Sequence, residues 1–331
     1  MRSAWWPLAV LAALAVAALL LALAWGSQPL GGHALWQALT RGGSATEADI
    51  VLELRLPRAL AAFGCGALLA LAGALLQALL RNPLAEPYVL GVSGGASVGA
   101  LLALWAGLGA VWIGAGASVG ALLATALVFL LGARAFRRHA DSAAASVQLL
   151  LIGVVLGAGF GAVVSFILSV APDRELRSMV FWMLGDLSGA DRYGLALAVA
   201  GSCIAVAARL APDLNVLLIG DAQAYTLGVD VRRLRWQVVV LASLAAGTAI
   251  TVGGSIGFVG LVVPHALRLL IGHDQRVLLP AAALGGGAFL VLADTLARSA
   301  FAPVQLPVGV ITAFVGVPTF LALLLRSGAR A

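Results

Sequence analysis

The chain has 331 residues, of which 62% are hydrophobic and only 10% charged, with a mean hydropathy of +1.06. A soluble domain carries roughly a quarter of its residues as charges, so water is excluded as the sole solvent, and at about 20 apolar residues per crossing the chain holds enough for about ten membrane spans. The net charge is +6 and all 20 basic residues are arginine; in this setting a basic excess points to loops retained on one side of a bilayer, and nucleic-acid binding is not expected.

In chain order, Arg2 precedes an apolar run over 5–25. Ala22-Leu23-Ala24 imitates a signal-peptide cleavage site, but the run is long enough to cross a bilayer, so an uncleaved first helix is expected. Further spans are predicted at 58–80, 93–109, 112–133, 147–170, 193–210, 236–252, 256–271, 277–298 and 306–326. Several are short or glycine-interrupted and open to being split or re-entrant. Alternation then puts the N-terminus, 81–92, 134–146, 211–235, 272–276 and the C-terminal tail on one side. That side carries thirteen of the arginines against seven opposite, which predicts cytoplasmic termini. No soluble domain fits between the spans, so 1–331 reads as one transmembrane domain. The 40 glycines, spread through the spans, predict close helix packing. Cys65 and Cys203 lie in apolar stretches and predict neither a disulfide nor a metal site.

Four features carry candidate chemistry. Arg55-Leu56-Pro57-Arg58 opens the second span with two arginines able to hold a carboxylate, and Arg298 follows Asp294 by four residues in the ninth. The bland alternative is interfacial snorkelling with an Asp294–Arg298 pair along one helix. Gly91-Val92-Ser93-Gly94-Gly95 matches the G-x-S-x-G nucleophile elbow and the GxSG of intramembrane serine proteases, for which His265 is the membrane-embedded candidate base; helix packing is the competing reading. The absence of lysine excludes a P-loop, so this chain does not bind ATP by that route. Residues 219–229 read as a short helix outside the membrane, with Asp221 as N-cap and Gly228 at the left-handed position after its end. It is either an ordinary loop helix or a rigid knob for a cytoplasmic partner. Near-absence of charge deep in the spans argues against an ion-coupled carrier.

Taken together, several strings resemble the FecCD family, the permease subunits of type II ATP-binding-cassette importers for iron-siderophores, haem and vitamin B12. They are Arg55-Leu56-Pro57-Arg58, Asn82-Pro83-Leu84-Ala85-Glu86-Pro87, Leu90-Gly91-Val92-Ser93-Gly94-Gly95, Phe181-Trp182-Met183-Leu184-Gly185, Gly257 through His265, and Leu306-Pro307-Val308-Gly309-Val310. The resemblance implies an all-α, ten-helix permease in the bacterial inner membrane, paired as a homodimer, without catalytic residues or a cofactor of its own. ATP would be used by two cytoplasmic ATPase subunits, and a periplasmic binding protein would dock on the opposite face. Carried over residue by residue, Arg55, Arg58 and Arg298 would receive that protein's glutamates. Asp221, Gln223, Ala224, Tyr225, Leu227 and Gly228 would form the coupling helix, and Ser146 and Val147 the cytoplasmic gate. The stretch 173–187 looks most like haem permeases, so haem is the favoured ligand, with a ferric siderophore or cobalamin as alternatives.

Overall fold

A helix that carries nothing but apolar side chains can bury itself in lipid or in other helices, and both solutions occur. The computed structural model describes residues 5–26, 30–40, 42, 44–138, 142–189 and 192–328, a subset of them by backbone alone. Every regular element among them is helical. Helix α1 (Trp5–Ala24) holds no charge and turns most of its surface outward. After α2 (Gly32–Thr40), α3 (Ala45–Asp49) opens on Ser44, whose hydroxyl accepts the Glu47 N–H at 3.3 Å. A π-helical turn over Ile50–Arg55 carries the chain without a break into α4 (Leu56–Leu80), where Pro57 sits in the first turn. There its missing N–H costs no hydrogen bond.

From Gly64 to Leu79 every residue of α4 is buried. Packed directly on it are α1 and four later helices, α9 (Tyr193–Ile219), α11 (Val231–Gly253), α12 (Val259–Ile271) and α13 (Gln275–Ser299); α5 (Val92–Trp105), α6 (Ala110–Arg138), α7 (Ser142–Val170), α8 (Asp173–Met183), α10 (Asp221–Thr226) and α14 (Val308–Gly328) pack mainly on other elements. Close approach to α4 is bought with glycine. A β-carbon at Gly66 would overlap the Gly286 carbonyl of α13, and one at Gly73 the Gly260 carbonyl of α12. Facing glycines join α5 to α6 in the same way, at Gly95 with Gly120 and Gly99 with Gly116.

Among the described residues seven helices are long and apolar enough to cross a membrane, and three shorter apolar helices, α5, α12 and α14, stand where the remaining spans were expected. Two of the expected spans need correction. Helices α5 and α12 hold 14 and 13 residues, about 20 Å each at 1.5 Å per residue, too little for a core of about 30 Å. The break between α11 and α12 lies beside the middle of α4, because Gly253 approaches Cys65 and Gly260 approaches Leu69 and Gly73. Segment 81–92, expected wholly on one side, turns back into the interior to meet that break: Tyr88 bonds Ile256, and Ser93, just after the segment, bonds Ser255. Helices α5 and α12 thus start near mid-depth and run to opposite ends of α4. Two further differences are simpler. The sixth span continues past 210 to Ile219, with Leu214 and Leu217 buried, and residues 173–183 form the polar-faced α8.

Candidate docking, coupling and gating sites

At the end of α4 where Arg81 lies, a cluster of charges fixes α10. Arg81 ends α4 in the left-handed conformation (φ 48°), and its guanidinium reaches across to the Leu217 carbonyl at 2.8 Å and to Asp221. Arg235 of α11 grips the other Asp221 oxygen at 2.5 Å. Because both oxygens face arginines, Asp221 is the first residue of α10 and not its cap; Gly220 occupies the N-cap position without a side-chain bond. The other end of α10 follows expectation. Gly228 has φ 82°, and the Val229 and Gly228 amides return to the Ala224 and Tyr225 carbonyls at 2.9 and 3.1 Å. Ala224 is buried against the bundle, whereas Gln223 is exposed and Tyr225 and Leu227 stand 61% and 66% exposed. The result is a capped apolar knob on a charged base.

At the opposite end of α4, Arg55, Arg58 and Arg298 come together around a depression of about 450 Å³, shared with Ser188 and Gln305. They are less open than the docking role suggested. Arg55 donates to the Leu23 and Ala24 carbonyls at 2.7 and 3.2 Å, and Arg298 donates to the Ala22 carbonyl. These carbonyls lie in the last turn of α1, where the Leu30 amide also donates to Ala24 at 2.9 Å, and the two guanidiniums complement the negative helix end. Arg58 clasps Asp294 through Nε and Nη2 at 2.9 and 2.8 Å and holds Gln305 with Nη1. The pair expected along α13 is the weaker one: Arg298 Nε stands 3.9 Å from Asp294.

Between these ends lies the polar seam where the half-helices begin. Ser93 Oγ and Ser255 Oγ are 2.8 Å apart. The Tyr88 phenol accepts the Ile256 N–H and donates to the Ile256 carbonyl, both at 2.8 Å, and Glu86 accepts the Phe258 N–H at 2.9 Å. His265 packs its ring edge-on to Phe320 at 6.1 Å, and its two nitrogens have no hydrogen-bond partner among the described residues. Ser93 therefore has a second serine as its partner where a hydrolase needs a base, and the G-x-S-x-G string is a helix start. Ser146 and Val147 belong to a stretch of α7 whose side chains lie outside the described residues. Sequence reasoning missed Arg81, Arg235, Glu86 and Tyr88. A charge or phenol beside an apolar run was the available signal, but each partner is remote in sequence.

A cavity of about 510 Å³ opens beside this seam, between α8 and the near ends of α6 and α11. Phe181, Trp182, Asp186, Arg177 and Arg192 line it, with the Arg177 guanidinium 5.4 Å above the Phe181 ring.

Comparison with known proteins matches this architecture. The sequence profile of the FecCD transport family covers residues 14–326. A vitamin B12 import system permease protein of Vibrio cholerae is 41% identical over 303 residues, 88% of each chain. A hemin transport system permease protein of Yersinia pestis is 38% identical over 325 residues, 93% of each. A solved transporter described as of metal-chelate ABC type, in an inward-facing conformation, superposes with a TM-score of 0.84 at 30% identity over 98% of this chain and 100% of that one. The chain belongs to the FecCD transport family and is a membrane-spanning permease of a type II ATP-binding-cassette importer, a transport subunit whose ATPase is a separate chain.

Proposed function

We propose that two copies of this chain form the conduit of an inner-membrane importer for haem, handed over by a periplasmic binding protein at the Arg55–Arg58–Arg298 end and released at the α10 end. The observation that carries the orientation and the power stroke is α10 itself. A six-residue helix capped at its far end, clamped at its base by Arg81 and Arg235, and presenting Tyr225 and Leu227 is a rigid projection fit for an ATPase groove. The arginine excess on the same side supports a cytoplasmic position for it and for both termini. Pairing of copies is supported by α7 and α14, whose apolar surfaces, including Val155, Phe166 and Phe314, are left open. In the cycle, ATP draws the two ATPases together and α10 moves with them. The inner end of α7 around Ser146 and Val147 then opens and closes a path that grips its ligand weakly.

Haem as ligand is supported by the likeness of 173–187 to haem permeases and by the cavity that those residues help to form. Phe181 and Trp182 offer aromatic faces to a planar ring, and Arg177 and Arg192 offer partners for two carboxylates. Cobalamin is the second reading, favoured by the 41% identical relative named for vitamin B12 import. Proteoliposomes carrying the permease with its ATPase and binding protein decide between them: ATP-dependent uptake of hemin and not of cyanocobalamin is expected, and the reverse result replaces the ligand.

The docking role is tested by Arg55→Glu and Arg298→Glu, which are expected to weaken association of the binding protein in low-salt pull-downs. Unchanged association in correctly folded variants overturns it. Replacing 221–228 by a Gly/Ser linker is expected to uncouple hydrolysis from uptake, and normal coupling would sink the knob reading.

A further inference from the structure

Beyond α10, a continuous run of bonded residues leads from the base of that helix to α12 and α14 through the segment that follows α4. Arg81, bonded to Asp221 at the base of α10, opens segment 82–90. This segment is stiff: Asn82 Oδ1 accepts the Leu84 N–H at 2.9 Å, Pro83 and Pro87 fix two φ angles, Ala85 and Pro87 are buried, and Pro87–Leu90 is a 3-10 turn. Its far part bonds to the start of α12 in three places. Glu86 accepts the Phe258 amide, and the Tyr88 phenol both accepts from and donates to Ile256. Phe258 holds a left-handed conformation (φ 69°) that only a fixed neighbourhood maintains in a bulky residue. Its β-carbon rests on α14, where one added to Gly316 would lie 2.6 Å away.

Resting on the reading of α10 as the coupling helix, we propose that Glu86 is a positioning residue of the transport cycle: through the Glu86–Phe258 and Tyr88–Ile256 bonds, segment 82–90 conveys the movement of α10 to α12 and α14. The lever is short, runs from the exposed Pro83 and Leu84 to the buried Pro87, and is bonded at both ends, to Asp221 through Arg81 and to Ile256 and Phe258 through Tyr88 and Glu86. Packed elements of this kind shift between discrete arrangements, so a small motion at Asp221 becomes a defined motion at Gly316.

The experiment uses the reconstituted permease–ATPase complex with Thr319→Cys, an exposed position on α14; the native Cys65 and Cys203 are buried and add little background. Maleimide labelling is compared with ADP and with ATP plus vanadate. The rate is expected to change about threefold or more with Glu86 and with Glu86→Gln, whose amide oxygen still accepts the Phe258 N–H. With Glu86→Ala the change should vanish while hydrolysis stays within about twofold. A full nucleotide response in Glu86→Ala, or its loss in Glu86→Gln as well, overturns the proposal. Should Glu86→Ala fail to assemble, Tyr88→Phe decides: a reduced response supports the lever and an undiminished one overturns it. The α10 reading is tested separately by the Gly/Ser replacement of 221–228. Response surviving that replacement removes the coupling helix, whereas response lost there but kept in Glu86→Ala removes only the lever.

Discussion

Gly73 and Gly260 meet backbone to backbone: the space in which a β-carbon of Gly73 would stand is taken by the carbonyl of Gly260. This contact sets α12 against the middle of α4 at a distance that no other residue permits. Gly73→Ala must push α12 away or distort its first turn, with an overpacking cost of about 1–3 kcal/mol or more. A lower melting temperature in detergent, together with loss of transport, is expected. Gly257→Ala, where nothing comes nearer than 4.0 Å, serves as the comparison and should be mild.

The same Gly260 carbonyl is left without its helical donor because residue 264 is proline. Gln77 replaces that donor, reaching the Gly260 and Leu261 carbonyls at 3.3 and 3.1 Å. Gln77→Leu should cost about 1–3 kcal/mol through the orphaned buried carbonyl. In a Pro264→Ala background the backbone supplies its own N–H, and the cost of Gln77→Leu should shrink. A double-mutant cycle on thermal stability measures the difference, and strict additivity would count against this account.

Asp294 is 3% exposed and its charge is met chiefly by Arg58. Arg58→Ala leaves that carboxylate buried with only the distant Arg298 contact, and a loss of about 3–5 kcal/mol is expected. Asp294→Asn combined with Arg58→Ala should recover part of it, since the uncompensated charge is gone. Melting temperatures of the wild type and the two variants give the answer.

Asp274 starts α13 and accepts from the Asn215 amide at 2.7 Å and from the Arg276 N–H at 3.0 Å. The Asn215 bond, helped by the Arg276 amide and charge and opposed by partial burial, holds its carboxyl below the ordinary value. A carboxylate depressed in this way stabilises the fold fully above its unfolded value, about pH 4, and loses that contribution as pH falls through the lower folded value. Asp274→Ala should cost about 0.5–2 kcal/mol at pH 7 as a lost cap. The gap between wild type and variant should narrow as pH is lowered from 5 to below 3, measured by thermal unfolding.

Much of the fold was legible because lipid imposes a one-dimensional code. Runs of apolar residues marked ten helices, and Gly228 marked the end of α10, since both signals act within a few neighbouring residues. The depth of a run was not legible. The run over 93–109 reads as a span, yet α5 begins near mid-depth because Gly91 turns the chain and Ser93 finds Ser255 there. The candidate sites divided in the same way. The arginines at 55, 58 and 298 were found as charges at span ends. Their actual partners, the end of α1 and a carboxylate 236 residues from Arg58, were not.

Composition and local punctuation by themselves determined that this is a polytopic helical membrane protein with closely packed glycines, no lysine for a P-loop and a short helix ended by Gly228. Only the tertiary structure decided that Asp221 serves Arg81 and Arg235, that Asp294 serves Arg58, and that two half-helices start from a polar seam beside the centre of α4. The reason is physical: hydrophobic burial is non-directional and sums along the chain, whereas a hydrogen bond or ion pair requires two atoms within about 3 Å, and which atoms those are is set by how the helices pack.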